Sequence, residues 1–237
     1  DALGALTVAG TAAVDTVQWL QYRAENLRGR LTYQTGDSTM DTAVSADSLG
    51  VGTLRFHGLQ AAAAGHRDAF SWTTVVRGGG GARLGAGGRL ARETGGTSVH
   101  ADSLSLDLLG RGWRLALPFD ARIGESVIAL DTVRLTTGDG AGSIELAGDI
   151  PRNGPGNLSL TALGVELKDI YGLAQRDTIG IGGTVILDAR LAGTAGAPEL
   201  RGTGALTGGA FGDFQAPLIR SAFDYRDHLL RSNLTFW

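Results

Sequence analysis

Three residues on one predicted strand, Ser98, His100 and Asp102, are of the types that form a nucleophilic triad. Alternate residues of a strand share a face, so the three side chains point the same way. Such neighbours lie roughly 6.5–7 Å apart along the strand, which exceeds the hydrogen-bond reach that a triad needs. The sequence therefore predicts a solvated outer face here rather than a hydrolase site.

No other pattern predicts catalysis, a metal site or a cofactor. The four histidines do not pair at the spacing of metal ligands, and the chain has no cysteine. We expect the glycine-rich stretch 78–88 to form a hairpin tip and a glycine-rich strand. Gly85 and Gly87 match the start of a dinucleotide-binding fingerprint, but Leu90 stands where its third glycine would be. The carboxylates are scattered along the chain, and nothing in the sequence selects an acid–base pair. We therefore expect a protein that is not an enzyme and that binds neither metal nor cofactor.

The composition predicts an all-β protein. The chain has 237 residues, of which 38 are glycine and 43% are hydrophobic, whereas only 19% are charged. Glycines at this density, without a triplet repeat, are typical of hairpin turns and bulges. The net charge of −3 does not favour a nucleic-acid partner. The low charged fraction indicates apolar surface that water does not cover in the usual way.

Period-2 alternation recurs along most of the chain and is most regular over 98–212. In Thr184–Ala192, for example, Val185, Leu187 and Leu191 fall on one face, while Asp188 falls on the other. Because these runs follow one another every 10–15 residues without a helical hydrophobic pattern between them, we expect a long antiparallel meander. We expect at most one short helix, near 165–175. Such a sheet can pack as a sandwich, close into a barrel, or curl into a trough with a dry interior.

In the segment 182–211, a strand that ends in Gly-Thr precedes a proline-containing turn and a glycine-rich return strand. The residues of this pattern are Gly182, Gly183, Leu191, Gly193, Thr194, Pro198, Leu200, Gly202, Leu206, Gly209 and Phe211. The segment resembles the repeats of the TamB and AsmA-like envelope proteins. The specific part of the likeness covers about 142–212. Earlier strands share with the family only the spacing of the strands and their hydrophobic alternation.

The resemblance implies a β-trough, or taco-like fold, with an apolar inner face that conducts phospholipid acyl chains between the inner and outer membranes of Gram-negative bacteria. It implies a periplasmic location and an inner-membrane anchor outside this sequence. Residues 1–237 would then be a single β-rich segment of a longer protein. A TamA-like outer-membrane barrel is a further implied partner, and no catalytic residues are implied.

The candidates for a lipid groove are the alternating apolar residues. They are Leu104, Leu106, Leu115, Leu117, Ile144, Leu146, Leu158, Leu160, Val185, Leu187, Leu191, Leu200 and Leu206. Groove and packed core use the same residue types, so a structural β-sandwich with a filled core is one alternative. Another is a chaperone-like surface, in which open sheet edges template the strands of outer-membrane proteins.

Overall fold

The computed structural model describes residues 6–19, 22–51, 54–108, 111–169, 180–194 and 197–237. Almost all of these residues are in β-strands, and neighbouring strands pair in an antiparallel sense. The predicted all-β antiparallel meander is thus confirmed. The chain divides into an N-terminal unit, Asp1–Gly110, and a C-terminal unit, Arg111–Trp237. The expectation of one uninterrupted segment over 1–237 stays a prediction.

The N-terminal unit is a meander of long hairpins. Its strands are β1 (Thr7–Trp19), β2 (Tyr22–Gln34), β3 (Thr39–Ala46), β4 (Ser48–Val51), β5 (Leu54–His66), β6 (Ala69–Gly78), β7 (Arg83–Glu93) and β8 (Gly96–Leu108). Strands β3 and β4 lie end to end between β2 and β5. The other strands pair in chain order. The glycine-rich stretch predicted as a hairpin tip forms a 3₁₀ turn at Gly79–Gly81 and part of β7.

The C-terminal unit repeats this arrangement. Its strands are β9 (Arg111–Leu115), β10 (Phe119–Gly124), β11 (Val127–Thr137), β12 (Ser143–Pro151), β13 (Gly156–Glu166), β14 (Ile181–Thr194), β15 (Ala197–Phe211), β16 (Phe214–Arg226) and β17 (Leu229–Phe236). Strands β9 and β10 both pair with β11, and the remaining strands pair in chain order.

The β14–β15 hairpin differs from its predicted form. The Gly and Pro residues of 193–198 predict a six-residue turn, which is wrong, because Gly193 pairs with Pro198 and Thr194 pairs with Ala197 inside the ladder. The Thr194 hydroxyl accepts a hydrogen bond from the Ala197 backbone N–H at 3.1 Å, which holds the strands together beside the turn. Gly193 has a φ of +78°, a conformation that glycine adopts at little cost.

The short helix predicted near 165–175 is described only at its start. Strand β13 continues to Glu166, and helical backbone follows at residues 167–169. The rest of the predicted helix lies outside the described residues. No helix in the described part of the chain is long and apolar enough to cross a membrane.

Candidate apolar binding face

The register of the C-terminal unit brings the predicted groove residues to one face, which we call the C-terminal apolar face. Paired residues of neighbouring strands point to the same side of a sheet, so the pairings order this face into rows. The first row contains Leu115, Leu135, Ile144, Ala162, Leu187 and Gly204. The second contains Val133, Leu146, Leu160 and Ala189, and the third contains Leu130, Leu158, Leu191 and Leu200. Val165, Val185 and Leu206 extend the face beyond the first row.

The N-terminal unit has an apolar face of its own, which contains the remaining two candidates. Leu104 pairs with Ala86, and Leu106 pairs with Leu84. The register continues this face across β7, β6 and β5. Its further members are Phe70, Trp72, Thr74, Val76, Leu90, Leu59, Ala61 and Ala63. Sequence reasoning did not single out the aromatic residues Phe70 and Trp72.

The leucines of the C-terminal apolar face are only half-buried. The buried apolar residues described in this unit are Trp113, Ala162, Val165, Ala189 and Ala216, so none of them is a leucine. Leu146, Leu160 and Leu187 have intermediate exposure, and Leu191 is 39% exposed. A filled sandwich core would bury such leucines almost completely. The face therefore retains apolar surface that a ligand could cover.

Leu117 does not belong to this face, which corrects its prediction as a groove residue sharing a strand face with Leu115. Strand β9 ends at Leu115, and Leu117 lies in the connection to β10 with 71% of its surface exposed. The Ala116 backbone N–H still donates to the Arg134 carbonyl at 2.8 Å. The ladder then breaks, and Pro118, which has no N–H, precedes β10.

This correction predicts different responses to the same substitution at two neighbouring leucines. Leu115→Ser should lower the free energy of unfolding by about 1–2 kcal/mol, because it removes half-buried apolar surface and adds a hydroxyl to the apolar face. Leu117→Ser should change it by less than about 0.5 kcal/mol, as is usual for an exposed position. Urea denaturation of the two variants measures the difference. Equal losses would place Leu117 back on the face.

The opposite face of the C-terminal unit is polar. Glu145, Ser159, Asp188, Arg190 and Arg201 alternate with the apolar residues on the same strands. Several of these side chains form exposed ion pairs, among them Arg134–Glu145 at 3.0 Å and Arg201–Asp224 at 2.8 Å. Exposed pairs contribute little to stability, so their main consequence is a solvated surface.

The N-terminal unit carries a shallow depression of about 730 Å³ across β1, β2, β3, β5 and β6. The side chains that point into it lie on the other face from Ala61 and Thr74 and are mostly small, such as Ala13, Ala43 and Ala62. Arg28 and Arg30 are the charged residues of its lining. The depression thus lies on the opposite side of the sheet from Leu104 and Leu106.

Ser98, His100 and Asp102 lie on β8, as predicted, and their side chains are at least partly exposed. The His100 Nε2 atom lies 3.2 Å from Asp102 Oδ1, and Arg89 Nη2 lies 3.5 Å from the same oxygen. Asp102 adjoins a register shift between Gly87 and Gly88 on the partner strand. The Asp102 and His100 side chains thus come within hydrogen-bond reach, which the spacing of alternate strand residues did not predict.

A charged cluster lies at one end of the C-terminal apolar face, and sequence reasoning did not find it. Arg111 of β9 lies 2.9 Å from Glu166 Oε1 and 3.5 Å from Asp169 Oδ2, both measured from Nη1. Its Nη2 atom lies 3.9 Å from Asp139, in the turn between β11 and β12. Lys168 Nζ lies 2.6 Å from the other oxygen of Glu166. We call Arg111, Asp139, Glu166, Lys168 and Asp169 the Arg111 cluster.

The acids of the Arg111 cluster have pKa shifts of opposite direction. Burial raises the pKa of Asp169 above its ordinary 3.8, while the Arg111 charge opposes this shift. The pKa of Glu166 is lowered, first by a hydrogen bond from Lys168. The pKa of Asp139 is also lowered, chiefly because the Thr137 hydroxyl donates to it at 2.5 Å. Glu166 and Asp139 therefore favour the folded state when ionised, and Asp169 opposes it.

Among the described residues, no group of three or more His, Cys, Asp and Glu side chains could hold a metal ion. The Arg111 cluster also contains the cations Arg111 and Lys168, which would repel a metal ion. Comparison of the chain with protein-family models, with curated proteins and with solved structures finds no match in any of the three.

Proposed function

We propose that this chain is a segment of a TamB/AsmA-like envelope protein, and that its apolar faces bind phospholipid acyl chains and conduct them between membranes. The observation that carries the proposal is the half-burial of the C-terminal apolar face. All but one of the candidates in this unit share the face, yet its leucines remain partly open. A curled sheet with this face inside would form the trough that the family resemblance implies.

The chemistry of the face suits a hydrocarbon chain. Burying a methylene group contributes about 0.8 kcal/mol, so a long acyl chain gains much from such a wall. The rows consist of Leu, Ile, Val, Ala and Gly, which offer no directional contact to any one atom of the chain. Because no row binds much more tightly than the next, the lipid can slide. Its headgroup would stay in water at the rim.

The polar face supports the same arrangement. Its ion pairs and hydroxyls keep the outer surface solvated, so the apolar side alone is left for lipid. We place the protein in the periplasm, anchored in the inner membrane by a segment outside this sequence. The assignment rests on the resemblance of residues 182–211 to the family.

Photo-crosslinking in cells tests the lipid-binding proposal. A photoreactive amino acid at Leu146 or Leu160, which pair on the apolar face, should capture phospholipid. The matched controls are Glu145 and Ser159, which are their chain neighbours on the polar face. Mass spectrometry of the purified adducts identifies the lipid. Capture of no lipid at the inward positions, or of equal amounts at the outward ones, would exclude the proposal.

A second candidate function is strand addition, in which this protein assists the assembly of outer-membrane proteins with a TamA-like partner. The observation that favours it is β17, all eight residues of which are exposed. Leu230, Leu234 and Phe236 present 60%, 52% and 55% of their surface. Backbone hydrogen bonds could add an extended strand there. The Ser232 N–H points away from β16, because the hydrogen-bonded pairs of this ladder include Trp237 with Leu218 and every second residue before it. Ser232→Pro therefore removes one open backbone donor and should reduce crosslinking to strand peptides, without changing lipid capture at Leu146.

A further inference from the structure

Burial on the C-terminal apolar face is concentrated at the end that contacts the Arg111 cluster. Trp113 is 2% exposed and Val165 is 3% exposed. Ala189 of the second row is also buried, but the leucines of the second and third rows are only half-buried, and Leu191 is 39% exposed. Trp113 pairs with Thr137, one step beyond the first row. The Arg111 guanidinium carbon lies 5.6 Å from the centre of the Trp113 ring. This end of the face is therefore closed, while its middle is open.

The closure is held by an unusual buried acid. Asp169 is 2% exposed and belongs to the helical start at 167–169, which leaves the sheet directly after β13. Its Oδ2 atom accepts a hydrogen bond from Arg111 Nη1 at 3.5 Å. Its Oδ1 atom is buried and has no hydrogen-bond partner. A buried carboxylate with one unpaired oxygen is costly. Of the groups that offset this cost, Arg111 contributes most, and Lys168 and a hydrogen bond from the Trp113 side chain contribute less.

The charges around Asp169 come from each neighbouring element. Arg111 of β9 attracts it, Glu166 at the end of β13 repels it, and Lys168 attracts it more weakly. Asp139 faces Arg111 from the β11–β12 turn and competes for the same guanidinium. Arg111 is only 16% exposed and forms ion pairs with all three acids. The balance therefore depends chiefly on Arg111, with a smaller contribution from Lys168.

We propose that the helical start at 167–169 is an ionic latch that closes one end of the C-terminal apolar face, held by Arg111 through Asp169. Loss of this pair releases Asp169 to water, uncovers Trp113 and opens the face toward its first row. The inference rests on the proposed function for its biological meaning, since it regulates access of lipid to that face. The latch itself is a property of the fold and can be tested without lipid.

The first experiment measures the exposure of Trp113. In a background with Trp19, Trp72 and Trp237 replaced by phenylalanine, acrylamide should quench Trp113 weakly. Arg111→Met should raise the quenching constant severalfold. The double variant Arg111→Met/Asp169→Leu should restore weak quenching, because an apolar pair can replace a buried ion pair. Arg134→Met, which breaks an exposed pair of the same unit, is the matched control and should change nothing.

The second experiment reports lipid at the closed end. A photoreactive residue at Ile144, in the first row, should capture less lipid than one at Leu158, in the third. Arg111→Met should raise the yield at Ile144 severalfold and leave that at Leu158 unchanged. Absence of lipid at both positions in every variant would count against the proposed function alone, since the quenching result stands independently.

Two outcomes would overturn the latch. Unchanged quenching of Trp113 in folded Arg111→Met would show that the cluster is only structural. Failure of the double variant to restore protection would show that the ion pair is not what holds the closure. If Arg111→Met does not fold, Arg111→Lys serves instead, since a lysine keeps the charge but cannot bridge two acids at once. It should give an intermediate quenching constant, and a wild-type value would again reject the latch.

Discussion

Arg111→Met is expected to lower the free energy of unfolding by about 3–5 kcal/mol at neutral pH, because it leaves the buried Asp169 carboxylate without its cation. The methionine keeps most of the apolar stem that packs near Trp113, so the loss reflects charge rather than volume. Urea denaturation followed by far-UV circular dichroism measures the effect.

The loss of unfolding free energy in Arg111→Met should be larger at neutral pH than in acid. Removing Arg111 raises the pKa of Asp169 further and lets the lowered pKa of Glu166 return toward its ordinary 4.5. A raised acid pKa costs stability above the ordinary value of 3.8, and a lowered one contributes stability that vanishes as the acid is protonated. Both pKa changes lower the free energy of unfolding of the variant at neutral pH, and both effects disappear once the acids are protonated. The difference in unfolding free energy between variant and wild type should therefore narrow as the pH falls, from the raised pKa of Asp169 down to 3.8 and, for the Glu166 part, below 4.5.

Arg134→Met is the control for the Arg111 measurement. Arg134 is 52% exposed and pairs with Glu145 on the polar face, so Arg134→Met should lower the free energy of unfolding by no more than about 1 kcal/mol. A loss at Arg111 no larger than that at Arg134, or one that does not change between neutral and acid pH, would mean that Asp169 is not held as a buried carboxylate.

The second large effect is expected at Gly88, on the apolar face of the N-terminal unit. A Cβ atom there would clash with the His100 carbonyl oxygen and lie 2.9 Å from Ala101 Cα. Both atoms belong to the backbone of the neighbouring strand, so the two strands must separate to admit a methyl group. Gly88→Ala should therefore cost about 3 kcal/mol of unfolding free energy, the upper range for overpacking.

Gly29→Ala is the matched substitution in the same unit. Gly29 also lies within a strand, and a Cβ atom there would have nothing within 4 Å. The alanine should be neutral or stabilise by up to about 1 kcal/mol, since it restricts the unfolded chain. Differential scanning calorimetry compares the two variants. Similar melting temperatures for both would show that β7 and β8 can move apart without cost.

The sheet and most of the candidate site follow from local patterns. Leu158, Leu160, Val185 and Leu187 alternate with polar residues, and this period alone places them on one face of a strand. Hydrophobic alternation is a property of each strand by itself, so it survives any error in how the strands pair. That is why the all-β meander and the shared apolar face were predictable.

Breaks in the ladder were not predictable in the same way. The bulge between Leu130 and Val133 keeps both residues on the apolar face, although strict alternation would place them on opposite faces. Leu117 continues the alternation of Trp113 and Leu115, yet the strand has already ended there. Whether a ladder continues depends on the partner strand, which the local sequence does not specify.

The sequence by itself determined the fold class, the strands and the identity of an apolar face. Only the tertiary structure decided how far that face is filled and how one of its ends is closed. Its openness depends on the exposure of leucines whose types suit a groove and a core equally. The closure joins Arg111, Asp139 and Asp169, which are distant in sequence and have no common period. Long-range contacts between single charged residues leave no pattern in a chain, whereas repeated alternation does.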